Sequence, residues 1–555
     1  MRRLERTIRR TAVSVAVVAA LAAATVLPTA GAQAAVTAAP AASPPPADGA
    51  EVSAAVLPDS AWGSCTSRTL QAFGAQCAML DVPLDYARPN GTKIQLALSR
   101  IKHTVPDAQY QGIMLVNPGG PGGSGLVLSI LGSFVPNGAG NAYDWIGFDP
   151  RGVGSSVPAL TCDPNYLNGP RPEYVPTSSA IEKAWLGMAK AYAQACGKNG
   201  GALLEHVKTT DTVQDMDRIR AALSRKQLNY YGFSYGTYLG QVYATLFPQR
   251  VRRMVLDANV DPTRVWYQAN LDQDVAFEKN MKIWWAWLAQ YDSVYHLGAT
   301  EAAVESAFYA EKARLGKNPA GGVIGSSEWT DSFLFVGYNQ STWIPLGQLW
   351  ADWKANGDPQ PLIDNYNSAQ GVGDDNGYAM YDAVQCTDVQ WPKEFSTWRE
   401  DNWRVYAKAR YETWANAWYN APCLYWPAKA GHPVEVDGEK APPILLVDET
   451  LDAATPYAGS LKVRKLFPRS SLLALPGGTS HANSLNGNAC EDGVIAAYLA
   501  DGTLPKRTPG GGPDATCAPL PVPDPTAGAA IAASTSGAGS ERFSLLARAL
   551  HPLGA

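Results

Sequence analysis

Ser234 stands in Gly232-Phe233-Ser234-Tyr235-Gly236, between the apolar run LNYYGF and the helix-like YGTYLGQVYATLF. Glycines two before and two after a serine permit the tight, strained turn that lifts its hydroxyl above a sheet edge as a nucleophile. Such a hydroxyl needs a base to take its proton and an acid to orient that base, following in the order Ser, Asp or Glu, His. His481, in LLALPGGTSHANS just past an apolar strand, is the expected base. His432, in AGHPVEVDGEKAPP, precedes a strand and falls at the wrong end of a sheet. PILLVDETLDAATP places Asp448, Glu449 and Asp452 at or beyond a strand end, with Asp452 in the loop as the expected acid. Asp257 and Asp261, after RRMVLDAN, are the reserve.

Charge developing on an attacked carbonyl oxygen needs backbone donors already aimed at it. VNPGGPGGSG, Val116 to Gly125, follows an early strand and supplies glycines for such a loop. The N–H groups of Gly120 and Tyr235 are the expected oxyanion donors. A phosphate loop is the rival reading, but Pro121 removes an amide and no Gly-Lys-Ser/Thr follows.

These residues need a scaffold. IQLALSRI, GIMLVNPGG, YDWIGFDPRG, LNYYGFSYG, RRMVLDAN, PILLVD and SSLLALPGG alternate with helical stretches. That alternation predicts an α/β fold, a mostly parallel central sheet with helices on both faces. Between RRMVLDAN and PILLVD lie roughly 180 residues, and Arg264 to Ala430 hold fourteen of the 17 tryptophans. This reads as a large, mainly helical cap over the carboxyl edge of the sheet, with most tryptophans forming its own core. The expected divisions are a first catalytic-domain part over 59–263, a cap over 264–430 and a second part over 431–523. An Ala/Pro-rich leader (35–58) and a low-complexity tail (524–555) flank them.

At the N-terminus, Arg2, Arg3, Arg6, Arg9 and Arg10 precede an apolar stretch from Thr11 to Leu27, and A-x-A sites follow at Ala30-Gly31-Ala32 and Ala32-Gln33-Ala34. This is the layout of a secretory signal peptide over 1–34, and the stretch is short for a spanning helix. The chain is thus expected outside the cell, without a membrane anchor after cleavage. The 8 cysteines should then be paired. They fall into neighbouring couples, Cys65–Cys77, Cys162–Cys196, Cys386–Cys423 and Cys490–Cys517. No C-x2-C spacing or adjacent histidine suggests a metal site. The net charge of -5 is mild, and no long basic run outside the N-terminus points to nucleic acid.

With these residues in place, the chain resembles the secreted actinobacterial tripeptidyl aminopeptidases, within the prolyl-aminopeptidase branch of the α/β-hydrolases. The resemblance spans Trp62 to Pro519 and rests on NPGGPGGSG, GFDPRGVGSS, LNYYGFSYGTYLG, RRMVLDANVDP, WYQANLDQDVAFE, TWANAWYNAPC and the Asp452 and His481 loops. It implies a nucleophile at Ser234, an acid at Asp452, a base at His481 and an oxyanion loop over Gly119–Gly122. Tyr425 to Pro519 is similar to the Tap-like segment that supplies acid and base. Two departures stand out: Pro118 where many relatives carry histidine, and Glu449-Thr450 where the acid loop often holds a glycine.

The chain is expected to be a monomeric serine exopeptidase without metal or cofactor, and the resemblance supplies its substrate. It would release tripeptides, or tetrapeptides, from free N-termini, with proline or a small residue before the cut. An esterase or lipase on the same triad, and a non-catalytic binding protein that kept the fold, are the alternatives. An enzyme that counts from the N-terminus needs a buried carboxylate to hold the α-ammonium. Glu205, before the helix leading into the Ser234 strand, and Asp388, in VQCTDVQWP, are the two candidates.

Overall fold

Apolar runs too continuous to expose one face to water are what a sheet covered on both faces requires, and seven such runs lie side by side here. The computed structural model describes residues 56–527. The expected signal peptide, most of the leader and most of the tail lie outside the described residues. Ten strands form one sheet: β1 (Gly63–Ser64), β2 (Gln76–Pro83), β3 (Lys93–Ile101), β4 (Ile113–Asn117), β5 (Asp144–Phe148), β6 (Leu228–Phe233), β7 (Val251–Asp257), β8 (Leu445–Glu449), β9 (Ser471–Leu475) and β10 (Ala515–Thr516). Their order is β1-β2-β3-β5-β4-β6-β7-β8-β9-β10. The pairs up to β3–β5 are antiparallel, and from β5 to β10 every pair is parallel.

Strand alternation divides the core in two. Leu115, Ile146, Tyr230, Leu256 and Leu446 enter one buried cluster, while their neighbours Val116, Trp145, Tyr231, Val255 and Val447 enter another on the opposite face. Because β4 and β6 to β9 run parallel, the loops that follow them leave from one edge, the edge where open parallel sheets bind ligands.

The chain between β7 and β8 is helical, with Tyr267–Gln290, Glu301–Leu315, Trp343–Asn356, Asn376–Asp388, Phe395–Tyr406 and Thr413–Tyr419 among its segments. Its tryptophans serve two cores. Trp284, Trp285, Trp287, Trp329, Trp343 and Trp350 form a cluster inside the insertion. Trp391, Trp398, Trp414 and Trp418 instead join the cluster on the sheet, where Trp418 stacks on Trp185 at 5.9 Å. The insertion is thus anchored through shared apolar packing. Disulfides join Cys65–Cys77, Cys162–Cys196, Cys386–Cys423 and Cys490–Cys517. Among the described residues, no helix is long and apolar enough to cross a membrane.

Candidate active site

Strand β6 runs straight into Ser234 and the helix Tyr235–Leu246. Ser234 has φ 55° and ψ -126°, a conformation costly for any residue with a side chain. The flanking glycines make the turn possible. A β-carbon at Gly232 would stand 2.5 Å from the Gly236 carbonyl oxygen, and one at Gly236 would stand 2.7 Å from that of Asn117. Two bonds hold the turn: the Ser234 amide donates to the Asp257 carbonyl at 3.0 Å, and Thr237 Oγ1 donates to the Ser234 carbonyl at 2.6 Å.

The glycine loop after β4 lies against this elbow. An added β-carbon at Gly119 would sit 2.8 Å from Ser234 Cβ and 2.9 Å from the Tyr235 nitrogen. Gly120 and Tyr235 both line the cavity beside Ser234. Tyr235 opens its helix, so its N–H has no partner within the helix ladder.

His481 and Asp452 approach from the loops after β9 and β8. His481 Nδ1 lies 2.7 Å from Asp452 Oδ2, both side chains buried. Asp452 is locked first: Oδ1 accepts from the amides of Ala454 (2.8 Å) and Thr455 (2.9 Å), and Oδ2 accepts from Thr455 Oγ1 at 3.0 Å. The His481 amide donates to the Tyr338 carbonyl at 2.7 Å, and the Tyr338 ring meets the imidazole edge-on. With Nδ1 on the carboxylate, Nε2 is left for proton transfer.

The other acids at the ends of β7 and β8 hold structure. Asp257 Oδ2 accepts from the Ser484 amide (3.0 Å) and hydroxyl (2.5 Å), pinning the histidine loop, and burial raises its carboxyl to about 6. Asp448 accepts from Ser460 at 2.5 Å, and Glu449 from the Ser480 amide at 2.6 Å and Asn483 at 3.0 Å. His432 is exposed in a loop.

Ser234 and His481 open onto a cavity of about 630 Å³ between sheet edge and cap, within the range of sites that enclose small ligands. Trp266, Tyr338, Tyr381 and Tyr419 form part of its wall, and among the described residues Trp266 is the one tryptophan lining it. Neither expected ammonium-binding carboxylate reaches this wall. Glu205 is exposed and accepts from the Lys429 amide at 3.1 and 3.2 Å. Asp388 is buried behind Tyr235, where it accepts from the Thr209 amide and hydroxyl, both at 2.6 Å, and from Trp266 Nε1 at 3.1 Å. Burial lifts its carboxyl to about 6, but its acceptor sites are occupied by the start of helix Thr209–Ala222. Sequence reading missed Glu412, which does line the cavity. Its one signal was position: it is the acid immediately before TWANAWYNAPC.

Comparison with known proteins agrees with this geometry. Residues 112–485 match the family model described as the alpha/beta hydrolase fold. A tripeptidyl aminopeptidase of Streptomyces lividans is 42% identical over 493 residues, 86% of this chain and 90% of that protein. The serine protease Hip1 of Mycobacterium tuberculosis is 32% identical, covering 80% and 89%. Carboxylesterase B of the same species is 30% identical, covering 81% and 89%. The chain is a serine hydrolase and belongs to the α/β-hydrolase family, on the branch that includes the tripeptidyl aminopeptidases.

Proposed function

We propose that this chain is a secreted exopeptidase that removes tripeptides from free N-termini, using Ser234, His481 and Asp452. The observation that carries the proposal is the locked His481–Asp452 pair at 2.7 Å, facing the same enclosed cavity as the strained Ser234. Ser234 Oγ attacks the scissile carbonyl carbon while His481 Nε2 takes the hydroxyl proton. The oxyanion rests on the N–H groups of Gly120 and Tyr235. As the C–N bond breaks, His481 returns the proton to the departing amine, leaving a Ser234 acyl-enzyme. Water, deprotonated by His481, then releases the peptide acid and restores the serine. Asp452 keeps the imidazole in the correct tautomer and stabilises its cation.

Support for a peptide substrate comes from the 42% identity to a protein named for tripeptide release. Four disulfides and the Arg-led N-terminal segment support export. The test is to incubate the mature protein with free and N-acetylated peptides of several lengths, and with a short acyl ester, and read the product masses. Tripeptide release from free peptides alone is expected. Fast ester turnover with inert peptides would support the esterase reading and overturn the peptidase one.

A further inference from the structure

Four acidic side chains line the cavity, and three are already engaged. Asp331 is paired with Arg171 and accepts from the Tyr174 hydroxyl at 2.9 Å. Asp272 is paired with Arg264, with one guanidinium nitrogen at 2.8 Å. Asp261 accepts from the amide and hydroxyl of Thr263 at 2.9 and 2.7 Å. Glu412 differs. Among the described residues its carboxyl has no hydrogen-bond donor and no cation, and Oε2 is shut away from solvent.

A carboxyl oxygen shut from water without a donor costs free energy unless a ligand completes it. What would complete this one is a compact cation with several N–H donors. The wall around it is aromatic: the phenol rings of Tyr338, Tyr381 and Tyr411 lie close enough to sense the Glu412 charge. Aromatic faces add attraction for a desolvated ammonium. Of the other cations on the wall, Arg171 and Arg264 hold their own carboxylates, and Lys408 is exposed.

We infer that Glu412 is the residue that binds the substrate's free α-ammonium, so that the cap wall, rather than the sheet edge, sets where counting from the N-terminus begins. This rests on the exopeptidase reading and deepens it by assigning the terminus a partner. Burial, reinforced by Asp274 and Asp331, holds the Glu412 carboxyl well above the usual range. An arriving ammonium favours the carboxylate form, and its N–H donors fill the acceptor sites that Oε2 leaves open. N-acetylation removes the cation and would leave this carboxyl unpaired.

The experiment compares the parent with Glu412→Gln on a free-amine tripeptide anilide, its N-acetyl analogue and a short acyl ester. Losing a buried charge pair should lower kcat/KM for the free amine about 100-fold, mainly through KM. The acetylated peptide and the ester should change by no more than about twofold, because no ammonium is involved. The gap between free and acetylated peptide then collapses, and ester turnover confirms an intact fold. A gap of parental size in the variant overturns the assignment while leaving the exopeptidase intact. A parent that cuts acetylated peptides as fast as free ones overturns the exopeptidase reading instead. A second measurement reads binding without turnover. Calorimetry of a free tripeptide product binding to the parent and to Glu412→Gln should show affinity about 100-fold weaker in the variant. Equal affinity for the two proteins overturns the proposal.

Discussion

The floor and the roof of the cavity both bury carboxyl groups, but they treat them differently. On the floor, Asp257, Glu449 and Asp452 each accept at least two hydrogen bonds from the loops that carry the histidine or the acid. On the roof, Glu412 Oε2 accepts none among the described residues. A buried acid satisfied from within orders the chain around it. One left unsatisfied is poised for something from outside. Burial alone therefore does not separate a positioning group from a binding group; internal donors and a place on the cavity wall must both be counted.

The largest effect should fall where the floor does its chemistry. Ser234→Ala removes the attacking oxygen without adding bulk at the elbow, and peptide and ester turnover should both fall about 10⁶-fold. Unchanged circular dichroism would show that the fold persists. A loss of tenfold or less would end the serine mechanism.

Next is the contrast between two floor acids. Asp452→Asn should lower kcat about 10⁴-fold through the wrong imidazole tautomer, with little change in KM. Asp257→Asn should instead act on stability, weakening the Ser484 anchor by about 1–3 kcal/mol while kcat falls less than about tenfold. If the two variants exchange these signatures, the acid has been assigned to the wrong strand end.

A roof element tests how rigidly the cap is held. The Cys386–Cys423 bond closes a separation of 37 residues and ties helix Asn376–Asp388 to the segment after Thr413–Tyr419. Replacing both cysteines by serine should cost about 2–4 kcal/mol in urea unfolding. An unaltered midpoint would mean that shared tryptophan packing alone holds the cap.

The same contrast explains what could be read from residues in order. The elbow at Ser234 is a local pattern, with an apolar strand, two glycines at fixed offsets and a helix, so its geometry is visible along the chain. The loops carrying Asp452 and His481 follow apolar strands and are visible for the same reason. Which carboxylate lacks a donor is a tertiary property. Asp388 reads as a free cap acid until helix Thr209–Ala222 presents its first amide to it. Glu205 reads as an active-site acid until the Lys429 amide takes it at the surface. Glu412 carries no mark beyond its place before TWANAWYNAPC. The tryptophan-rich stretch reads as one cap core, yet six of its tryptophans join the cluster on the sheet, because facing partners are set by the fold.

The smallest expected effect is a pH dependence of stability from the floor acids. Burial raises Asp257 to about 6 and Glu449 to about 7, against which their hydrogen bonds from Ser484, Ser480 and Asn483 pull only part of the way back. Their charged neighbours are Asp448, Asp452, Glu491 and His481, and the acids among these add repulsion. A carboxyl whose folded pKa exceeds its unfolded value binds more protons when folded, so its stabilisation is complete below the unfolded value and is lost as pH rises. The window therefore runs from about 4 to about 7. Asp514, which burial alone would raise but hydrogen bonds from Arg464 hold at about 2, acts only below that window. In urea titrations the parent should lose stability between pH 5 and 6.5, and Glu449→Gln should remove up to about 1.4 kcal/mol per pH unit of that slope. The slope is the quantity to read, because the amide also loses one acceptor toward Asn483 and shifts the whole curve downward. A variant slope equal to the parent's would mean that Glu449 is already ionised in the folded protein, and that its donors, rather than its burial, set its charge.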